Sequence, residues 1–407
     1  MDEAPSDGVD STRDNSEGYD LETLLAWAFE NNPAIHEAEA RVEAAQGRYV
    51  QVGLPPNPAV GYSGQQLGSR GQAEQQGVLI EQELVTGGKL RLLRRQAAWE
   101  VARSEHLLEV ARQRTATDVR TLYFEALVAQ RRIDVAEKLA EIAARAEKTV
   151  KALYDAQEAS LADYLQAQIE TQTARVLAEN AHAEFQGTWQ RLVAVAGRPD
   201  LPPARLRGDP TADWPEYDPQ RLLDQILAAN PQLLALEADV QRARWAVDYA
   251  HAAVIPNIQV QGIVQDDRAT GSSNGALQVT VPVPLWNRNQ GGIQQAWGEL
   301  SAAQQAVDRV AFGLRKKLAE TLQSYQVARQ QAERYRDQIL PKAAENLQLA
   351  QRAYEQGEFT YLQLLTAQRT YFQTELNYLD ALGRLWRSAN SIDGLLLSDS
   401  LETDPAN

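Results

Sequence analysis

The chain has 407 residues, with 55 acidic side chains against 40 basic ones for a formal charge of −15, no cysteine, and one methionine at position 1. So acidic a chain argues against a phosphate-binding surface and excludes nucleic acid as a partner, because nucleic-acid affinity is carried largely by Lys and Arg. The missing cysteines exclude disulfides and thiolate metal sites, and no window reaches the roughly eighteen uninterrupted apolar residues of a transmembrane helix.

Residues 1–18 are acidic and Ser/Asp-rich, the composition of a disordered lead-in. They lack the basic and apolar regions of a signal peptide, so a secreted protein would have to be in mature or trimmed form. Any N-terminal lipid anchor would need a cysteine that this sequence does not contain.

From Tyr19 an amphipathic segment with apolar residues every three or four positions predicts a helix of about thirty residues. Its Tyr19, Asp20, Asn32, Pro33 and Glu39 recur as Tyr217, Asp218, Asn230, Pro231 and Glu237. Further along, Asn57 matches Asn257, Trp99 matches Trp297, and the run from Tyr154 to Ser160 with Leu165, Ala167 and Gln168 matches Tyr354 to Thr360 with Leu365, Ala367 and Gln368. Anchors kept in order at a shift of about 200 residues define an internal two-fold repeat. The expected layout is a first repeat over 19–197, a connector over 198–218, a second repeat over 219–396 and a flexible tail over 397–407. The connector carries Pro199, Pro202, Pro203, Pro210 and Pro215, which suit neither a helix interior nor a central strand.

After its first helix each repeat shows two short alternating segments. In the first they are Pro58 to Gln65 and Gly77 to Val85, a hairpin over 58–85, with Val78, Ile80 and Leu84 on one face and Glu81 and Glu83 on the other. In the second, over 257–285, Ile258, Val260, Gly262 and Val264 alternate with Gln259, Gln261, Ile263 and Gln265, and Leu277, Val279, Val281 and Val283 alternate with Gln278, Thr280 and Pro282. Polar loops, Leu67 to Gln75 and Arg268 to Ser273, join each pair. An isolated pair of this kind reads more readily as a soluble hairpin with one wet face than as membrane strand.

Very long helices follow. No Pro or Gly falls between Leu90 and Ala156, enough for about 65 helical residues and about 100 Å at 1.5 Å per residue. A turn near Ala156 to Ser160 and a return through Ala196 make a helical hairpin over 88–197. The second repeat has its counterpart over 290–394, with Pro341 marking a kink or restart. Heptad spacing aligns Leu340, Leu347 and Tyr354 with Ala343 and Ala350 in one seam, and Leu365, Phe372, Leu379 and Trp386 in another, as in coiled coils.

In this order the sequence resembles the TolC-like outer-membrane efflux protein family from about Tyr19 to Leu396. The stretches that carry the resemblance are Leu340 to Leu347, Ala353 to Gln368, and Val283-Pro284-Leu285-Trp286-Asn287-Arg288-Asn289-Gln290-Gly291-Gly292; the last looks like the strand-to-helix junction of the heavy-metal branch. The resemblance implies a mostly α, mixed fold. Each protomer of a homotrimer gives four strands to a shared twelve-stranded transmembrane β-barrel and its long antiparallel coiled-coil helices to a hollow α-barrel in the periplasm. Closure would remove every strand edge, which the bilayer demands. The implied role is a passive efflux conduit, for metal ions or small toxic compounds, between a periplasmic adaptor with its inner-membrane pump and the outside, set in outer-membrane lipid.

By the same resemblance the hairpin tips, Ala156, Gln157, Glu158, Ser160 and Leu161 with Gln356, Gly357, Glu358, Phe359 and Thr360, face the adaptor. Gly357 fits the family pattern and Gln157 departs from it. The lumen gate falls at Asp163, Gln363 and Thr366, where related proteins often carry aspartates. Without the resemblance these residues read as polar turns and a solvated helix surface.

His36, His106, His182 and His251 have no His partner three or four positions away, so no metal site is expected. No Ser-His-Asp set, phosphate loop or dinucleotide fingerprint occurs, so neither enzyme chemistry nor a cofactor is expected. Trp99, Trp297 and Trp286 follow the strands, where an aromatic girdle or plain packing would place them. Composition and heptads alone favour a rival reading, a soluble coiled-coil scaffold or adaptor protein; a second rival, an enzyme with helical insertions, would require a convergent polar pocket of which the sequence gives no sign.

Overall fold

The structure, a computed structural model, describes residues 18–67, 73–268 and 270–402. Most of the acidic lead-in, most of the first hairpin's loop and the end of the tail lie outside the described residues. In chain order the elements are α1 (Leu21–Asn31), α2 (Pro33–Gln51), β1 (Ala59–Leu67), β2 (Ala73–Leu84), α3 (Lys89–Asp155), α4 (Leu161–Val195), α5 (Pro219–Ala229), α6 (Pro231–Ala252), β3 (Ile258–Asp267), β4 (Ser272–Thr280), α7 (Gln290–Arg334), α8 (Leu340–Glu355) and α9 (Tyr361–Asp393). They form two compact units, one from 1–36, 111–228 and 314–407 and one from 37–110 and 229–313. Each repeat contributes to both units, so the compact units cut across the duplication.

The helix of about thirty residues expected at the head of each repeat is two helices. A residue before proline is pushed out of the α region, and Asn32 accordingly sits at φ −73°, ψ 123° and Asn230 at φ −69°, ψ 114°. Both asparagines are buried and use their side chains to stabilise the break. Asn32 accepts from the Ala34 amide at 2.9 Å and donates to the Val195 carbonyl at 2.8 Å, whereas Asn230 accepts from Gln232 and Leu233 at 2.9 and 3.3 Å.

The first unit packs Leu24 and Ala28 against Val119, Tyr123, Leu127, Trp189 and Leu192. Its connector, with neither helix nor strand to satisfy its carbonyls, is held by side chains from both repeats. Trp189 donates to the Leu201 carbonyl at 3.0 Å and Trp386 to that of Pro210 at 2.7 Å; Tyr123 donates to the Arg207 carbonyl and Tyr325 to that of Pro215. Each pair of donors stands at about the repeat spacing, so the duplication supplies matched clamps.

The two heptad seams do not pack on each other. Leu347 and Ala350 of α8 meet Leu364 and Ala367 of α9, flanked by Tyr354 and Tyr371. Leu365 and Phe372 lie one residue round the helix and, with Leu139, Ala143, Ala174 and Leu177, line a cavity of about 690 Å³. Trp386 stacks on Phe124 at 3.8 Å instead. Pro341 stands in the first turn of α8, where the helix restarts as expected, and a five-residue π segment, Tyr335–Ile339, precedes it. That wider turn accommodates the amide that proline cannot supply.

In the second unit Val240, Ala243, Val247 and Ala250 pack on Ala296 and Leu300. The four strands form one antiparallel sheet in the order β1-β2-β3-β4. The two hairpins are joined by the β2·β3 pair, which runs from Gln75 opposite Asp267 to Leu84 opposite Ile258. Strand β4 ends at Thr280, so Val281 and Val283, expected within it, lie beyond it. Pro282 has no N–H to offer a ladder and no neighbour beyond this edge holds the chain extended.

Candidate functional site

Both hairpin tips are built by the same local chemistry. At the first, Gln157 takes φ 62°; the Glu158 amide donates to the Leu153 carbonyl at 2.8 Å and the Gln157 amide to that of Tyr154 at 2.9 Å. The second repeats this with Gly357 at φ 76°, Glu358 to Ala353 at 2.8 Å and Gly357 to Tyr354 at 3.1 Å. These are Schellman closures, in which one left-handed residue lets two amides satisfy the last carbonyls of a helix. Glycine takes that conformation freely; glutamine takes it at a steric cost.

The returning helices then start on capping boxes. Ser160 and Asp163 bond reciprocally at the head of α4, with the Asp163 carboxylate 2.7 Å from the Ser160 hydroxyl. On α9 the Thr360 amide and hydroxyl both donate to Gln363 Oε1, at 2.8 and 3.1 Å, and the Gln363 amide donates to the Thr360 carbonyl at 3.1 Å. Two of the three gate residues read from the sequence, Asp163 and Gln363, therefore have their side chains engaged in shaping the tips. The third, Thr366, is exposed and returns its hydroxyl to the Leu362 carbonyl at 2.8 Å.

Ala156, Gln157, Glu158, Ser160 and Leu161 at one tip are exposed, as are Gln356, Gly357, Glu358, Phe359 and Thr360 at the other. Burial holds the Tyr354 and Tyr361 phenols above their usual range, and the negative charge of Asp163 adds to the shift at Tyr354. The first tip's carboxylate thus lies within electrostatic reach of the second tip's tyrosine. Farther from the tips Arg369 of α9 bonds bidentately to Glu170 of α4, a contact between hairpins that no local sequence signal marks. The Tyr371 phenol is pushed up to about 12 by burial and by donating to Glu375 at 2.6 Å.

The other feature with functional content is the sheet. Val60 and Tyr62 of β1, Val78, Ile80 and Leu84 of β2, Val264 of β3, and Leu277 and Val279 of β4 share one face and are all exposed, Leu277 at 76% and Val60 at 71%. The opposite face carries Ser63, Gln75, Glu81, Glu83, Gln259, Gln261, Gln265 and Gln278. Neither edge, β1 or β4, has a partner strand among the described residues. Below the sheet the ammonium of buried Lys89 donates to Asn257 at 2.5 Å, and Asn257 donates to Glu83 at 2.6 Å, a polar junction across both hairpins that sequence spacing did not single out.

Among the described residues no group of three or more His, Cys, Asp or Glu side chains is placed to hold a metal ion. His182 pairs with Glu137 at 2.8 Å and His36 faces the Glu30 carbonyl at 3.0 Å. Trp99, Trp297 and Trp286 are exposed rather than core residues. Among the described residues no helix is long and apolar enough to cross a membrane.

Duplicated strand and helix hairpins, an exposed apolar sheet face and, among the described residues, two sheet edges without a partner strand are the features to set beside known proteins. The model of the family described as "Outer membrane efflux protein" matches residues 24–198 and again 222–396, so the chain belongs to the outer membrane efflux protein family. It is 27% identical over 382 residues to the cobalt-zinc-cadmium resistance protein CzcC of Cupriavidus metallidurans, covering 92% of this chain and 89% of that one. Its fold is that of CusC, at a TM-score of 0.78 and 18% identity over 93% of this chain and 92% of that one. It is equally that of the outer membrane protein VceC of Vibrio cholerae, at 0.76 and 17% over 93% and 96%. The two family matches coincide with the two repeats, and the family is one of outer membrane efflux proteins, not of enzymes.

Proposed function

We propose that three copies of this chain close their sheets into one twelve-stranded barrel in the outer membrane, and that the assembly is the passive exit conduit of a tripartite pump. One observation carries this reading: a four-stranded sheet that exposes an apolar face and leaves both edges open. Strands of 9 to 12 residues match the roughly 9–11 residues a tilted transmembrane strand needs, and an open edge is tolerated in lipid only if closure pairs it. A soluble scaffold would leave Val60, Tyr62, Val264 and Leu277 in water, a larger contiguous apolar patch than soluble monomers usually expose.

The long helical hairpins would line the periplasmic part of the conduit, with the 156–161 and 356–360 tips turned to a periplasmic adaptor that links the channel to an inner-membrane pump. Asp163, Gln363 and Thr366, just past the tips, would set the width of the entrance. Metal cations are the cargo we favour, on the likeness to the cobalt-zinc-cadmium resistance protein and on strands that contain Glu81, Glu83, Asp266 and Asp267 but no Lys or Arg. Reconstitution in planar bilayers tests the conduit. Stepwise conductance supports it; protein that inserts without conducting, or never inserts, refutes it. Cells lacking the chain should accumulate cobalt, zinc or cadmium, and unchanged metal content would remove the cargo assignment alone.

A further inference from the structure

The duplication fixes more than the presence of two hairpins. Pro56, Asn57 and Val60 recur as Pro256, Asn257 and Val260 at a shift of 200, which aligns β1 with β3 residue by residue. Both valines lie on the same face, since Val60 stands opposite Ile80, Ile80 opposite Gly262, and Val260 flanks the latter in the alternation of β3. The hairpin registers carry the alignment to the other strands. Ala59 stands opposite Glu81 in the first hairpin and Gln259 opposite Thr280 in the second, so Glu81 of β2 corresponds to Thr280 of β4.

The β2·β3 pair joins the second strand of one repeat to the first strand of the next. In a ring of repeats the missing pair, β4 of one copy to β1 of the following copy, is the same junction. Resting on the proposed three-copy closure, we infer that the β2·β3 register is reused between copies. Glu81 opposite Gln261 becomes Thr280 opposite Gly61 of the neighbouring copy. Val279 then meets Tyr62, Gln278 meets Ser63, and Leu277 meets Gly64.

The chemistry of these pairs agrees with the placement. Val279 beside Tyr62 is an aromatic and β-branched pair on the lipid face, a favourable cross-strand combination. Gln278 beside Ser63 and Thr280 beside Gly61 fall on the polar face. The register also puts Val281 opposite Val60, and Val283 opposite Pro58. The two exposed valines that stop short of the strand within one chain gain an extended partner once a second copy supplies it.

Face matching excludes odd slips, because a one-residue shift turns every side chain over. Apolar matching does not exclude a slip of two: placing Leu277 opposite Tyr62 and Val279 opposite Val60 also pairs apolar with apolar. The repeat distinguishes these registers.

The chain has no cysteine, so engineered pairs report without background. Gln278→Cys would be combined in turn with Gly61→Cys, Ser63→Cys and Gln65→Cys, and Leu277→Cys with Gly64→Cys, in purified protein under mild oxidation. Neighbouring positions along an antiparallel ladder alternate between wide and narrow pairs, so the two predicted pairs include one of each. A disulfide needs Cβ atoms about 3.5–4.5 Å apart, whereas positions displaced by two lie about 7–8 Å apart.

Covalent dimers and trimers on a denaturing gel at Gln278/Ser63 or Leu277/Gly64, at least several-fold over the Gly61 and Gln65 combinations, confirm the inferred register. Dominant linkage at Gln278/Gly61 or Gln278/Gln65 overturns the register and leaves three-copy closure standing. No linkage in any variant, with the chain running as a monomer before oxidation, overturns the closure itself.

Discussion

The two tips differ at one position that carries most of their energetic difference, and exchanging it tests how the tips are made. Gln157 holds φ 62° where Gly357 holds φ 76°. A left-handed conformation costs a residue with a Cβ about 1–2 kcal/mol, and glycine gives back about 0.5–1 kcal/mol because it has more freedom to lose on folding. Gln157→Gly should therefore stabilise the first tip by roughly 0.5–1 kcal/mol, and Gly357→Gln should weaken the second by a similar amount. Tips open locally, so a global melting temperature would miss the change, whereas amide exchange reports it. The informative amides are Glu158 and Ala159, which both donate to the Leu153 carbonyl at 2.8 and 3.2 Å, and Glu358 and Phe359, which donate to Ala353 at 2.8 and 3.2 Å. About 0.5–1 kcal/mol corresponds to about a two- to five-fold change in protection, slower at the first tip in Gln157→Gly and faster at the second in Gly357→Gln. Faster exchange at Glu158 in Gln157→Gly would refute the reasoning, because it would mean that the glutamine side chain contributes a contact worth more than the strain.

Three further outcomes follow from the packing and charge. Asn32→Ala removes the partner of the buried Val195 carbonyl and of the half-buried Ala34 amide, and should cost about 1–3 kcal/mol in chemical denaturation; Asn32→Asp, which keeps only the acceptor, should fall between. Burial raises the Asp393 carboxyl above 3.8, opposed by the Tyr217 hydroxyl donating to it at 2.9 Å. A raised folded value means the ionised form is disfavoured by folding, so the penalty is absent below 3.8 and complete only above the folded value; Asp393→Asn should be more thermostable than the parent at neutral pH and lose that advantage on acidification. An equal deficit at every pH would instead show that the hydrogen bond dominates. On the exposed apolar face, Leu277→Arg should reduce insertion into bilayers by the equivalent of about 2–4 kcal/mol if the site lies near mid-membrane, while Gln278→Arg on the polar face should insert normally and alter conductance.

Much of the fold could be read directly from residue order because its signals are periodic. Ile258 to Gln265 alternates with period two, the stretch from Leu90 to Ala156 lacks helix breakers, and the Tyr154 and Tyr354 runs announce both tips. What escaped depends on single residues or on distant partners. The Asn-Pro breaks at 32 and 230 interrupt segments whose apolar period runs straight through them. The seam of Leu365 and Phe372 has the right spacing but faces a different neighbour from the seam of Leu347 and Ala350, and spacing along one helix cannot say which helix it meets. The clamps from Tyr123, Trp189, Tyr325 and Trp386 join positions that only the fold brings together. At the tips, Asp163 and Gln363 stand three residues after Ser160 and Thr360, the spacing of a capping box, so this local role is legible in the sequence alongside their place just past the tips.

The mass of the particle in detergent tests closure most directly, since it depends on neither cargo nor pump. Three copies of the 45.1 kDa chain, persisting at dilutions where casual association is lost, are expected of a closed barrel. A detergent-free monomer with its Leu277 and Val60 face protected from exchange would contradict it.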